Sequence, residues 1–170
     1  LILRQEARQR STRASTAIEG NRLNEAEARL ALVRSDRDAT EAEQEIRNYW
    51  RALDRVEDFA AGRAAITEDF IRELHRIVMV RGAGRRGRRS DYRRDECPVV
   101  DQATRVIDYG PPGPRDVPPL MEDLADWASG ERSRSLPPVV RAGLLAHRFL
   151  SIHPFNDGNG RTGRLLATAE

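Results

Sequence analysis

The sequence predicts a mostly α-helical domain with one β-hairpin, and three observations predict it. Apolar residues recur at spacings of three and four through several long stretches. Residues 81–114 break that pattern with Gly82, Gly84, Gly87, Gly110 and Gly113, and Pro111, Pro112 and Pro114 close the segment. Two short strand-like runs lie inside it.

In chain order, residues 1–19 read as a helix rich in Arg, Gln, Ala and Ser, with Gly20 as its C-cap. Asn24 and Glu27 form a capping-box pattern that opens a helix over 24–34. A polar link over 35–39 follows. Residues 40–61 form a long helix with Ile46, Trp50, Leu53, Val56 and Ala60 on one face, ended by Gly62. Thr67 caps the next helix, whose apolar stripe is Phe70, Ile71, Leu74, Ile77 and Val78. His75, beside that stripe, reads as structural or exposed, with nothing catalytic around it. The runs 97–100 and 104–109 suggest a hairpin. Pro118 and Pro119 open a helix that buries Leu120, Leu124 and Trp127 and ends at Gly130. Leu136-Pro137-Pro138 leads into another helix through residue 151. Its Val139, Val140, Leu144, Leu145, Phe149 and Leu150 make it read as central, and His147 as a packing or capping residue. A last helix begins near Gly160 or Arg161.

The 170 residues suffice for one domain with a core. The first residue is Leu1, and Glu170 follows the last arginine of the stretch discussed below by six residues, so a fragment of a longer protein is expected. All 29 basic residues are arginine, and the net charge of +2 says little about partners. The single cysteine, Cys97, permits no internal disulfide, which suits a reducing cytoplasm. No run approaches the length of a membrane span, and no membrane partner is expected. Seven arginines fall within 81–94, but only Tyr92 stands among them, so nucleic-acid binding is not expected.

The chemistry concentrates in His153-Pro154-Phe155-Asn156-Asp157-Gly158-Asn159-Gly160-Arg161-Thr162-Gly163-Arg164. Gly158-Asn159-Gly160 can aim successive N–H groups into one concavity, an anion nest. The N-terminus of the following helix adds free N–H groups and the positive end of its dipole. Arg161 and Arg164, three residues apart, share a helix face and can reach one phosphate chain. His153, at the end of the preceding helix, can take a proton from an attacking hydroxyl. Asp157 is a hard oxygen ligand of the kind Mg²⁺ accepts when phosphates complete its shell. Phe155 should pack into the core beneath the loop. Together these describe phosphoryl or nucleotidyl transfer.

The stretch resembles the signature of the Fic family, His-Pro-Phe-x-Asp/Glu-Gly-Asn-Gly-Arg-x-x-Arg, with every fixed position filled. Ser15-Thr16-Ala17-Ile18-Glu19-Gly20 likewise resembles the family's inhibitory motif, Ser/Thr-x-x-x-Glu-Gly/Asn. The resemblance extends through Pro-Pro-Gly-Pro-x-x-Val-Pro-x-Leu-Met and the Leu-Pro-Pro lead-in. It implies a Fic-fold helical bundle whose hairpin is a flap over the active site. It implies an inhibitory segment over 1–22 and a core domain over 23–170, truncated at its C-terminus.

It further implies AMPylation, the transfer of AMP from ATP to a Ser, Thr or Tyr hydroxyl of a target protein, including the enzyme itself. The target would dock along the flap over 95–110. His153 would be the base and Asp157 the Mg²⁺ ligand. Gly158, Asn159 and Gly160 would cradle the phosphates, Arg161 would hold the diphosphate part and Arg164 the γ-phosphate. Glu19, with Ser15 in its motif, would inhibit by occupying Arg164. Removal of AMP on the same fold, a non-catalytic nucleotide-binding module and a nucleic-acid-binding regulator are the other readings. A homodimer is left open.

Overall fold

A computed structural model describes residues 2–34, 39–62, 64–80, 91–101, 104 and 106–170. Eight helices and one hairpin lie among them. The order is α1 (Ile2–Ile18), α2 (Glu25–Val33), α3 (Glu41–Gly62), α4 (Glu68–Val78), β1 (Val99–Val100), β2 (Ile107–Tyr109), α5 (Val117–Ser129), α6 (Glu131–Arg134), α7 (Pro138–Ile152) and α8 (Asn159–Ala169).

Local signals set most boundaries. Gly20, at φ +96°, stops α1, and the Asn21 N–H returns to the Thr16 carbonyl. The capping box forms as its spacing predicts: the Glu27 N–H donates to Asn24 Oδ1 and the Asn24 N–H to Glu27 Oε2. Thr67 caps α4 through the Phe70 N–H. The polar link at 35–38 and the arginines at 81–90 lie outside the described residues.

The core lies where α3, α4, α5, α7 and α8 converge. Leu74, Met121, Leu124, Leu145, Phe149 and Leu165 are fully buried there. Burying one such side chain stabilises the fold by about 1.5–3 kcal/mol. At one edge of this core α1 packs on α3. Arg8 holds it there, pairing with Asp54 and Glu57 and lying 4.1 Å over the Trp50 ring.

Three expectations need correction. α7 buries only one face: Leu145, Phe149 and Ile152 are inside, whereas Val139 is 85% exposed and Val140, Leu144 and Leu150 are also exposed. An apolar run reads as all-round burial, but neighbours cover only one side of this helix. His147 is exposed and does not pack in the core. In α5, Leu120 and Trp127 are only partly buried beside the fully buried Leu124.

The hairpin is shorter than its runs. Val99 pairs with Tyr109 and Val100 with Ile107, antiparallel and with an irregular register. The one-turn helix α6 carried no apolar pattern. Ser133 builds it by bonding back to the Ala128 and Gly130 carbonyls.

Candidate active site

The site forms where α7 ends and α8 begins. His153 is the C-cap of α7 at φ 51°, the one positive-φ residue other than glycine among the described residues. Left-handed backbone is uncommon in such residues, though histidine adopts it more readily than most. Such geometry persists only when surrounding contacts hold it. The His153 N–H donates to the Phe149 carbonyl at 3.0 Å, and its own carbonyl accepts from Arg93 Nε at 2.8 Å. Partial burial lowers the imidazole pKa below its ordinary value. A hydrogen bond to the Leu150 backbone opposes this, nearby Arg93 adds to it, and Glu19 opposes it. The ring therefore favours the neutral form, which can accept a proton.

The loop beyond is built from the inside. Phe155 is buried and stacks on His75, with centroids 3.6 Å apart. His75 Nε2 lies 2.9 Å from the Asp157 carbonyl. His75 is thus structural, one of the two alternatives expected of it, but its surroundings are those of the candidate site. It is buried, and it supports the turn that carries Asp157. The signal was absent from the sequence because 82 residues separate the pair. Gly158 sits at φ +77°, and a Cβ there would meet Met79 Sδ at 2.7 Å and His75 Cδ2 at 3.3 Å. Only glycine fits.

Asn159 turns inward. Its Oδ1 accepts the Phe155 N–H at 3.0 Å and its Nδ2 donates to the Phe155 carbonyl at 2.6 Å. Its side chain therefore shapes the loop, and only its backbone can serve an anion. α8 begins at Asn159, slightly earlier than its apolar residues suggested. Asp157 Oδ1 accepts from the Gly158 N–H at 2.6 Å and from Arg161 Nη2 at 3.3 Å. The carboxylate is 55% exposed.

The two arginines take different partners. Arg161 is nearly buried and reaches Glu45 Oε1 on α3 at 3.0 Å, besides Asp157. Glu45 Oε2 in turn accepts from Asn21 Nδ2 at 2.9 Å, which ties the end of α1 to this cluster. Arg164 faces α1. Its Nε donates to Ser15 Oγ at 2.7 Å, and its Nη2 donates to the Ser15 carbonyl at 3.0 Å and to Glu19 Oε1 at 2.7 Å. A Cβ placed on Gly160 would overlap Glu19 Oε1. A carboxylate thus rests against the first turn of α8, where unpaired N–H groups and the dipole favour an anion.

Arg93 escaped the sequence reading, which saw it only as one of seven arginines. It is 2% exposed and bonds to the His153, Ile152, Asp95 and Pro112 carbonyls. The hairpin segment leans on the loop through Cys97 Sγ, 3.9 Å from the Asn156 carbonyl, and on the last turn of α7 through Tyr109 Oη, 2.9 Å from the Ser151 carbonyl.

A half-buried histidine at the end of one helix, followed by a glycine turn and a second helix whose first turns carry two arginines, marks the site of this helical domain. The chain belongs to the Fic/DOC family, whose model matches residues 65–169. It is 35% identical over 155 residues to protein adenylyltransferase Fic of Drosophila willistoni, covering 89% of this chain and 29% of that protein. The Drosophila melanogaster protein of the same name is 34% identical over the same length, with 30% of it covered. The chain therefore spans under a third of these relatives.

Among solved structures, a Fic-domain signaling protein from Bacteroides thetaiotaomicron superposes with a TM-score of 0.82 at 29% identity, covering 96% of this chain and 62% of that one. Fic-1 from C. elegans superposes at 0.70 with 28% identity, covering 90% and 44%. The fold expected from the sequence, a Fic-type helical bundle with one hairpin, is the fold observed.

Proposed function

We propose that this domain transfers AMP from ATP to a hydroxyl of a target protein and that Glu19 restrains it. The names of the Drosophila relatives support the reaction class. The observation that carries the restraint is the Glu19 carboxylate lying against Gly160 and on Arg164, where an anionic ligand would otherwise bind.

In this reading the ATP polyphosphate enters along the first turn of α8. The backbone of Gly158, Asn159 and Gly160 receives it, Arg161 holds the diphosphate part and Arg164 the γ-phosphate. The neutral His153 removes the proton from a Ser, Thr or Tyr hydroxyl. The hydroxyl oxygen forms the bond to the α-phosphorus as the bond to the β-phosphate oxygen breaks, and pyrophosphate leaves. Charge gathers on phosphoryl oxygens in the transition state, so donors already in place contribute most.

Asp157 fits Mg²⁺. Oδ1 is engaged, Oδ2 has no partner among the described residues, and the carboxylate is open to solvent. No group of three or more His, Cys, Asp or Glu side chains that could hold a metal lies among those residues, so phosphate oxygens and water would complete the shell. A bound Mg²⁺ would offset charge on the leaving pyrophosphate.

The exposed hairpin residues Val106, Ile107 and Tyr109 suit strand addition by a target polypeptide. No described helix is long and apolar enough to cross a membrane. The single cysteine supports our placing the domain in a reducing cytoplasm.

The deciding experiment incubates Glu19→Gly and Glu19→Gly/His153→Ala proteins with labelled ATP and Mg²⁺. Label on the single variant alone is expected. Label on neither, with ATP bound by both, would instead indicate a nucleotide-binding module.

A further inference from the structure

The guanidinium of Arg93 is buried and, among the described residues, has no carboxylate partner. A buried charge is costly unless its donors are satisfied. Here backbone carbonyls alone satisfy it. Nε donates to His153 O at 2.8 Å, Nη2 to Ile152 O at 3.4 Å and to Pro112 O, and Nη1 to Asp95 O at 3.2 Å. The Arg93 N–H adds a bond to Pro154 O at 2.9 Å. The carbonyls of Ile152 and His153 belong to the C-terminal end of α7, which lacks intrahelical donors and carries the negative end of the dipole. A fixed cation fits that place. Asp95 precedes the hairpin and Pro112 follows it, so one side chain joins both roots of the hairpin to the histidine turn.

We infer that Arg93 is a positioning residue for His153: its planar fork holds the left-handed His153–Pro154 turn and locks that turn to the roots of the β1–β2 hairpin. This rests on the assignment of His153 as base. The geometry explains how a non-glycine residue stays at positive φ. It also explains why lysine would not replace Arg93, since a single ammonium cannot span carbonyls from three segments.

The test introduces Arg93→Gln and Arg93→Lys into the Glu19→Gly protein. The Gln variant should lose about 10- to 100-fold in kcat, with the KM for ATP changed less than about threefold, because the α8 anion site is untouched. Among the described residues, the charges that act on the His153 imidazole are Arg93 and, in the parent chain, Glu19. With the Arg93 charge removed, the acidic limb of the pH–kcat profile should move to higher pH. Arg93→Lys should lose kcat with that limb in place.

The same shift should appear in the His153 imidazole resonance of histidine-labelled Arg93→Gln protein, assigned against His153→Ala. That readout needs no turnover. If the Glu19→Gly parent transfers nothing, the assigned reaction fails while the resonance still decides the role of Arg93. If the Gln variant melts below assay temperature, the Lys variant decides. Unchanged kcat in a folded variant, or an unchanged His153 titration in Arg93→Gln, overturns the inference.

Discussion

Glu19 Oε1 stands 2.7 Å from Arg164 Nη2, though 145 residues separate the two in the chain. The pair is only part-buried, so as an ion pair it contributes modestly to stability. Its consequence lies in geometry. In the function proposed above, the carboxylate holds the guanidinium and the first turn of α8 against another anion.

Removing Glu19 and removing Ser15 should therefore differ in degree. Glu19→Gly deletes the competing charge and should raise self-modification at least tenfold, about 1.4 kcal/mol or more. Ser15→Ala deletes one neutral acceptor of Arg164 Nε, leaves the carboxylate, and should raise it only about two- to fivefold. Initial rates of label incorporation from ATP give the ratio. Equal rates for Glu19→Gly and the parent chain would refute the restraint.

Gly160→Ala should abolish nucleotide binding even in the Glu19→Gly background. The added methyl would stand at the anion position and 3.1 Å from Arg164 Nη1. Alanine suits the first turn of a helix, so Tm should fall little. Calorimetric titration with ATP separates the two effects.

Asn159→Ala should act in the opposite way. It leaves the Phe155 N–H and carbonyl without their partners in a buried loop, each loss costing about 1–3 kcal/mol. A total of about 2–6 kcal/mol corresponds to a Tm drop of about 4–24 °C for a chain of this size. Thermal unfolding followed by circular dichroism checks it. An unchanged Tm would mean that the staple contributes nothing.

Burial lowers the pKa of both His75 and His153. For His75, bonding and charge at Asp157 oppose the shift and Arg161 adds to it. The unfolded chain then takes up protons first. Stability from these residues is complete above the ordinary imidazole pKa, near 6.5, and is lost as pH falls through the lower folded-state values. The urea midpoint should thus be lower at pH 5 than at pH 7.5. The acidic limb of the Glu19→Gly rate profile should lie below pH 6.5, since deleting Glu19 removes a charge that raises the His153 pKa. A limb above pH 6.5 would exclude the neutral His153 described here.

What the sequence determined by itself was local. Asn24 with Glu27, Gly20 after α1 and Thr67 before α4 act on backbone groups within a few residues, so spacing alone declares them. The stretch from His153 to Arg164 was legible for the same reason: base, carboxylate, glycines and arginines are contiguous.

The tertiary structure decided which distant groups meet. It set Arg93 against the end of α7, His75 beneath Asp157 and Glu45 on Arg161, and it turned Asn159 inward. It also left one side of α7 uncovered despite its apolar run. An arginine, a histidine or an amide has the same letter whether it faces solvent or closes a loop. Its role follows from the unpaired carbonyls and N–H groups that packing brings within about 3 Å of it.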